Sequence, residues 1–343
     1  MNAIPNGRRY LPWLGAFIGL AILAWVLRGF DFNHFLAILA DADLRYIALV
    51  PLAIALEQLV RGWKWRQILY PLRSIGTLPL FGAIMAGYLL AFLIPFGFGT
   101  LARSWLVARR ESIPMSAVLA TVALDRLTDG IVFALLVPLA LLLVVFPDPT
   151  GGIRAGLVWG AAGSLVLFAL LLLTLVACRR GALHPDGWLI RLIVRLPARA
   201  AEPAQRIAAS FATGVCWPSE FGRGLGIVLA SIAMKLIAAT HLMWAGLGMG
   251  AELLPAQYLF VMVFLGFLVI LGHFARIAAS FIIGGIFALG LFGISEERAL
   301  AMLLVVQGAS ILTVAGIGAL ALWQQGVALS DVRAAGAANA RAA

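Results

Sequence analysis

The sequence predicts an all-α polytopic membrane protein of about eight transmembrane helices plus a re-entrant hairpin, with possible pseudo-symmetric halves. Three observations predict it. Hydrophobic residues make up 63% of the 343-residue chain and charged residues only 12%, against about 25% charge in soluble domains. The mean hydropathy is +1.03. Several uninterrupted apolar runs reach the roughly 20 residues that a helix needs to span a bilayer. No stretch carries the short alternating strands of a membrane β-barrel. The longest polar interval, Cys178 to Arg223, is too short and too apolar for a catalytic fold. One transmembrane domain is therefore expected over residues 1–323, followed by an Ala-rich, disordered cytoplasmic tail over 324–343.

The elements follow in order. Pro12–Leu27 reads as an uncleaved first helix rather than a signal peptide, because no clear cleavage site follows it. A second helix, Leu44–Val60, is expected to end in the basic, Trp-rich run Arg61 to Arg66, with an amphipathic stretch continuing to Arg73. Leu78–Thr100 is apolar but breaks at Pro95-Phe96-Gly97-Phe98-Gly99. Pro114–Phe146 is a long helix, and Gly156–Ala177 another span. Within the Arg-rich cytoplasmic interval 178–223, Trp188–Phe211 carries Arg191, Arg195, Arg199 and Arg206 at nearly helical spacing, as a surface helix does. Four further spans are expected at Gly224–Leu247, Pro255–Gly272, Arg276–Phe292 and Arg298–Trp323.

Basic residues orient these elements. Eighteen Lys and Arg fall on one side and four on the other (Arg28, Arg45, Arg154 and Arg298). Cytoplasmic loops are enriched in Lys and Arg, so both termini are expected in the cytoplasm of a bacterial inner membrane. The net charge of +10 has the same origin and does not call for nucleic acid. Parity holds only if the broken segment, about 78–102, dips into the membrane and returns. A second interruption, Gly272-His273-Phe-Ala-Arg276 with Gly284-Gly285, echoes the first later in the chain. Paired broken segments point to a transport site. Cys178 and Cys216 both fall on the cytoplasmic side, so no disulfide is expected.

Charges at membrane depth are the candidates for function, because each costs about 2.5–3.5 kcal/mol at the centre of the bilayer. Asp125, Arg126 and Asp129 can share one side of the long helix, with an internal ion pair between Arg126 and Asp129. They read either as an interfacial salt-bridge cluster or as part of a polar cavity open to the cytoplasmic leaflet. Pro95, Gly97 and Gly99 permit tight backbone, and Arg103 follows them, so with Arg126 this region could hold a lipid phosphate. Lys235 sits in mid-helix with Ser231 one turn before it, as a phosphate or carboxylate partner or as an ionic partner of Asp125 or Asp129. Arg276 with His273 is similar. Glu57 pairs naturally with Arg61 at i+4, and Trp63 and Trp65 are most simply interfacial anchors. No P-loop, metal-ligand spacing or hydrolase pattern is present, so neither catalytic residues nor a metal or other cofactor is called for.

Several of these motifs resemble the lysylphosphatidylglycerol synthase transmembrane-region family of flippase-like integral membrane proteins. Arg61-Gly-Trp63-Lys-Trp65-Arg66 is similar to the Arg/Trp-rich end of an early helix in the family. Pro95-Phe-Gly97-Phe-Gly99-Thr100-Leu-Ala-Arg103 resembles its Pro…Gly-acid-x-x-Arg segment, with Thr100 in place of the acid. Ala120 to Gly130 is similar to its Ala-Thr…Glu-Arg-x-x-Asp-Gly helix, and Ala288 to Ala299 to its closing helix pair. His273–Gly285 stands where the family has a Pro-Gly-Gly-x-Gly…Glu loop. The resemblance implies lipid handling, since members include the flippase half of proteins that make aminoacylated phosphatidylglycerol. The chain shows no soluble aminoacyl-transferase half, so synthase activity is not implied. The expected function is a lipid flippase that binds a phospholipid or polyprenyl-linked headgroup, transporter-like rather than enzymatic. Basic groups would take the phosphate, and carboxylates a cationic headgroup or a proton. An accessory protein for a lipid- or glycan-modifying enzyme, and an integral-membrane lipid transferase, are the alternatives.

Overall fold

The computed structural model describes residues 27–93, 98–177, 187, 191, 193–194, 198–275 and 280–326. The described residues are helical throughout, without strands. The helices are α1 Phe32–Ala40, α2 Leu44–Ile47, α3 Leu49–Leu69, α4 Thr77–Leu93, α5 Phe98–Glu111, α6 Met115–Leu143, α7 Gly152–Ala177, α8 Ala198–Gly214, α9 Phe221–Gly248, α10 Pro255–Ala275, α11 Ser280–Gly290 and α12 Glu296–Gln324. Four of them, α6, α7, α9 and α12, are long and apolar enough to cross a membrane. The expected first helix, Pro95, Gly97, Arg276, Cys178 and the tail beyond Gly326 lie outside the described residues. So do most residues of 188–197. The surface helix is therefore described only as α8, with Pro203 inside its first two turns.

Local chemistry sets several boundaries. The Asp31 carboxylate accepts from the main-chain N–H groups of Asn33 and His34 at 2.8 and 3.1 Å, capping α1. Asp43 caps α2 through the Arg45 N–H at 2.9 Å. Gly250, with φ +70°, ends α9, and the next N–H, from Ala251, reaches back to the Gly246 carbonyl at 2.8 Å. A positive φ after a helix is the role that glycine fills most cheaply.

The early boundaries correct one sequence expectation. The helix that carries Glu57 does not end near Val60 but runs on to Leu69. The basic, Trp-rich run is therefore the C-terminal part of a helix and not its exit. Position 65 moves from the membrane interface to the interior: Trp65 has 0% exposure, whereas Trp63 is exposed.

The chain divides into two compact units. One comprises 1–53, 133–163 and 236–309, the other 54–132, 164–235 and 310–343. The boundaries fall inside α3, α6, α7, α9 and α12, so each of these helices gives one stretch to each unit. The first unit packs aromatic rings from several helices, with Phe260 against Phe146, Phe264 and Phe292 at centroid distances of 4.6, 6.1 and 5.6 Å. The second unit has a core of Trp65, Ile68 and Leu69 from α3, Leu80, Ile84 and Leu90 from α4, Ala102 and Leu106 from α5, and Val118 and Val122 from α6.

Each unit contains a closely packed helical hairpin. In the second unit it is α4 with α5, where the sequence places the broken segment. In the first it is α10 with α11, where the later echo falls. The α4–α5 pair closes on glycine. A Cβ on Gly87 would lie 2.8 Å from the Gly99 carbonyl oxygen and 2.9 Å from Arg103 Cβ; one on Gly99 would lie 2.7 Å from the Gly87 oxygen. Those distances leave no room for a methyl group opposite rigid backbone. Gly87→Ala and Gly99→Ala are each expected to cost about 1–3 kcal/mol by overpacking, read as a lower unfolding midpoint in detergent. Gly290→Ala, where an added Cβ meets open space, should leave the midpoint close to that of the parent.

Candidate functional site: a buried ion cluster on α3, α5 and α6

The spacing Glu57, Arg61, Lys64 (i, i+4, i+7) puts three ionisable groups on one face of α3. Asp125 and Asp129 do the same on α6, and the two faces meet. Lys64 Nζ lies 2.6 Å from Asp129 Oδ1, 3.1 Å from Asp125 Oδ1 and 3.0 Å from the Asp125 main-chain oxygen. Nζ donates to the Asp129 Oδ1 and the Asp125 main-chain oxygen, and Asp125 Oδ1 stands as an ion-pair partner. Arg61 Nη1 donates to Asp129 Oδ2 at 2.8 Å and stands 4.0 Å from Asp125 Oδ2. The remaining Arg61 nitrogens reach within α3, Nε to Gln58 Oε1 at 3.1 Å and Nη2 to Glu57 Oε1 at 3.3 Å. The expected Glu57–Arg61 pair thus forms as one edge of a larger cluster.

Depth makes the cluster costly. Lys64 and Asp125 have 0% exposure. Asp125 and Asp129 sit about 15 and 21 Å from the start of α6 at 1.5 Å per residue. Ions in such surroundings persist only when paired and hydrogen-bonded. Asp129 meets that condition fully, for Ser231 on α9 adds a hydroxyl donor at 3.1 Å to Oδ1. Lys235, one turn further along α9, is partly buried and within electrostatic reach of Asp129.

Arg103 on α5 completes the cluster differently. It has 2% exposure, and its guanidinium lies 5.1 Å over the Trp65 ring. Its nearest carboxylate contact is Nη2 to Asp125 Oδ2 at 3.7 Å, and none of its three nitrogens makes a hydrogen bond among the described residues. The Asp125 carboxylate oxygens, ringed by Lys64, Arg103 and Arg61, likewise lack a hydrogen bond of good geometry. Trp65 is held beneath Arg103 by its own indole N–H, which donates to Thr121 Oγ1 at 3.0 Å.

The sequence expectations stand as follows. Asp125, Asp129 and Arg103 come together, with Gly99 at the hairpin contact beside Arg103. Arg126 corrects the expected internal pair with Asp129: it is exposed on α6 and forms no ion pair among the described residues. Neighbouring residues on a helix are turned about 100° apart, and the buried face has room for positions 125 and 129 but not 126. Arg61 and Lys64, read from the sequence as cytoplasmic positive-inside residues, are the principal partners of the carboxylates. Their i, i+4, i+7 spacing with Glu57 was the signal available for them. Pro95, Gly97 and Arg276 are outside the described residues, and nothing is placed at those positions.

Removing one member of a buried pair strands its partner at a cost of about 3–5 kcal/mol. Lys64→Met or Asp129→Leu alone should lose that much stability in chemical unfolding of the detergent-solubilised protein. The double variant is expected to lose less than the sum of the two, because it deletes both charges at once. Arg126→Gln should shift the same curve by no more than about 0.5 kcal/mol, as an exposed substitution does.

No curated protein and no solved structure matches the chain. The family described as the lysylphosphatidylglycerol synthase TM region matches residues 13–318, a stretch that includes every residue of the ion cluster. With four helices able to span a bilayer, the chain is an integral membrane protein and belongs to the lysylphosphatidylglycerol synthase transmembrane-region family.

Proposed function

We propose that the protein is a lipid flippase that carries a phospholipid or lipid-linked headgroup across a bacterial inner membrane. One observation carries this reading. In a chain with 12% charge, five buried ionisable groups from α3, α5 and α6 are gathered in one place rather than left at the helix ends. A headgroup crossing the apolar core needs such a place, because every polar group it presents must be matched there. Family membership supports the same reading.

The topology that accompanies the proposal has eight crossings, cytoplasmic termini, and α4–α5 as a re-entrant hairpin opening toward the inner leaflet. Helix length supports a cytoplasmic-side vestibule. The 29 residues of α6 extend about 43 Å at 1.5 Å per residue, well beyond a hydrocarbon core of about 30 Å. The roles within the vestibule divide. Asp125 and Asp129 are engaged by Arg61 and Lys64 and hold the helices in register. Arg103 and the exposed Arg126 are left to meet the headgroup, with Lys235 beside Asp129.

The test is scrambling of fluorescently labelled phospholipid in proteoliposomes, followed by dithionite bleaching of the outer leaflet. The parent protein should move label between leaflets faster than empty vesicles. The double variant Arg103→Gln, Arg126→Gln should slow it ten-fold or more. Parent protein that moves no label above the empty-vesicle rate would sink the proposal.

A further inference from the structure

Resting on that reading, the geometry points to the charge class of the ligand: a net-anionic phosphate group bound by Arg103, and not a cationic headgroup. The argument is one of remaining capacity. Asp129 is engaged on both oxygens, its Oδ1 by Lys64 and Ser231 and its Oδ2 by Arg61. Asp125 makes no hydrogen bond of good geometry, but three cations stand within 4.0 Å of its carboxylate: Lys64 at 3.1 Å, Arg103 at 3.7 Å and Arg61 at 4.0 Å. A fourth cation brought to that carboxylate meets their repulsion before it meets the acceptor. The fully buried groups number three cations, Arg61, Lys64 and Arg103, against two anions, Asp125 and Asp129. Glu57 balances them, and the partly buried Lys235 and exposed Arg126 tip the surroundings positive again.

What is left over is donors. All three Arg103 nitrogens are buried without a hydrogen bond, and a guanidinium fork matches two oxygens of a phosphate. Arg126, next to Asp125 on α6, is exposed and adds a second cation beside the one that Arg103 sets against Asp125. Arg126 is the exposed member and Arg103 the covered one, so the anion meets Arg126 first. Arg103 then takes it by swinging off the Trp65 ring. Trp65, which is buried and fixed by Thr121, consequently reports the event.

The experiment uses the full chain in neutral detergent, titrated with dioctanoyl phosphatidic acid, dioctanoyl phosphatidylcholine, a double-chain quaternary ammonium amphiphile and sodium phosphate. Tryptophan fluorescence is followed, and Trp65→Phe identifies the part of the signal from that ring. Phosphatidic acid is expected to saturate at least ten-fold more tightly than phosphatidylcholine, with the ammonium amphiphile weaker than both. Arg103→Gln should weaken phosphatidic acid ten-fold or more, and Arg103→Lys, which keeps the charge but not the fork, three- to ten-fold. Sodium phosphate that saturates as tightly as phosphatidic acid assigns the free anion as the source; much weaker phosphate binding assigns the lipid. Equal affinity for the anionic and zwitterionic lipids overturns the inference. So does phosphatidic acid affinity unchanged in Arg103→Lys, a result that decides the matter even if Arg103→Gln does not fold. Scrambling without anion preference removes this assignment and leaves transport standing, whereas anion binding without scrambling does the reverse.

Discussion

The ammonium of Lys64 is the constraint around which the second unit is built. It lies among three oxygens of two turns of α6 and is fully buried. An ion in that position has no inexpensive alternative partner. Apolar packing around Leu69, Leu80 and Val122 is non-directional and tolerates sliding of a helix by a fraction of a turn. The charges do not, since an error of one residue carries Lys64 about 100° away from Asp125. The hydrophobic core thus supplies most of the attraction between α3 and α6, and the ions select one register from those the core would accept. That division of labour has precedent in buried polar groups that specify register at a cost in stability.

The same cluster separates two kinds of arginine that look alike in the sequence. Arg61 is saturated, with a hydrogen-bonding partner for each of its nitrogens. Arg103, close to the same carboxylates, has an aromatic ring beneath it and no hydrogen bond. Trp65, from α3, gives the Arg103 guanidinium a face to rest on at 5.1 Å, with Asp125 Oδ2 3.7 Å from Nη2. A cation–π contact when desolvated is worth about 2 kcal/mol, enough to hold the side chain but less than a bidentate ionic pair would supply.

Much of this was legible in the residues, and the misreadings have physical causes. Hydropathy alone located α6, α7, α9 and α12, because long apolar runs have few other uses. The break before Gly99 falls between two helices, α4 and α5, that pack closely on each other. What failed was side-chain direction. A basic residue near the end of an apolar run usually snorkels toward water, and on that rule Arg61, Lys64 and Trp65 belonged at the interface. The rule yields when a carboxylate face lies within reach, and that face stands more than 60 positions away along the chain. Arg126 failed in the opposite sense: its i, i+3 spacing from Asp129 suggested a shared side and an internal pair, whereas Asp129 faces the buried cluster and Arg126 is exposed. The glycine contact between Gly87 and Gly99 was half visible, since the second glycine was noticed as part of the break and the first passed as an ordinary apolar-helix residue.

The separation along the chain has a consequence in time. Lys64 and the Asp129 carboxylate it contacts are 65 positions apart. At about 5–20 residues per second of synthesis, α3 leaves the ribosome roughly 3–13 s before its counter-ions exist. During that interval Arg61 and Lys64 cannot enter hydrocarbon without paying the full penalty of unpaired charge. The buried ions that fix the finished structure are thus brought together by parts of the chain made seconds apart.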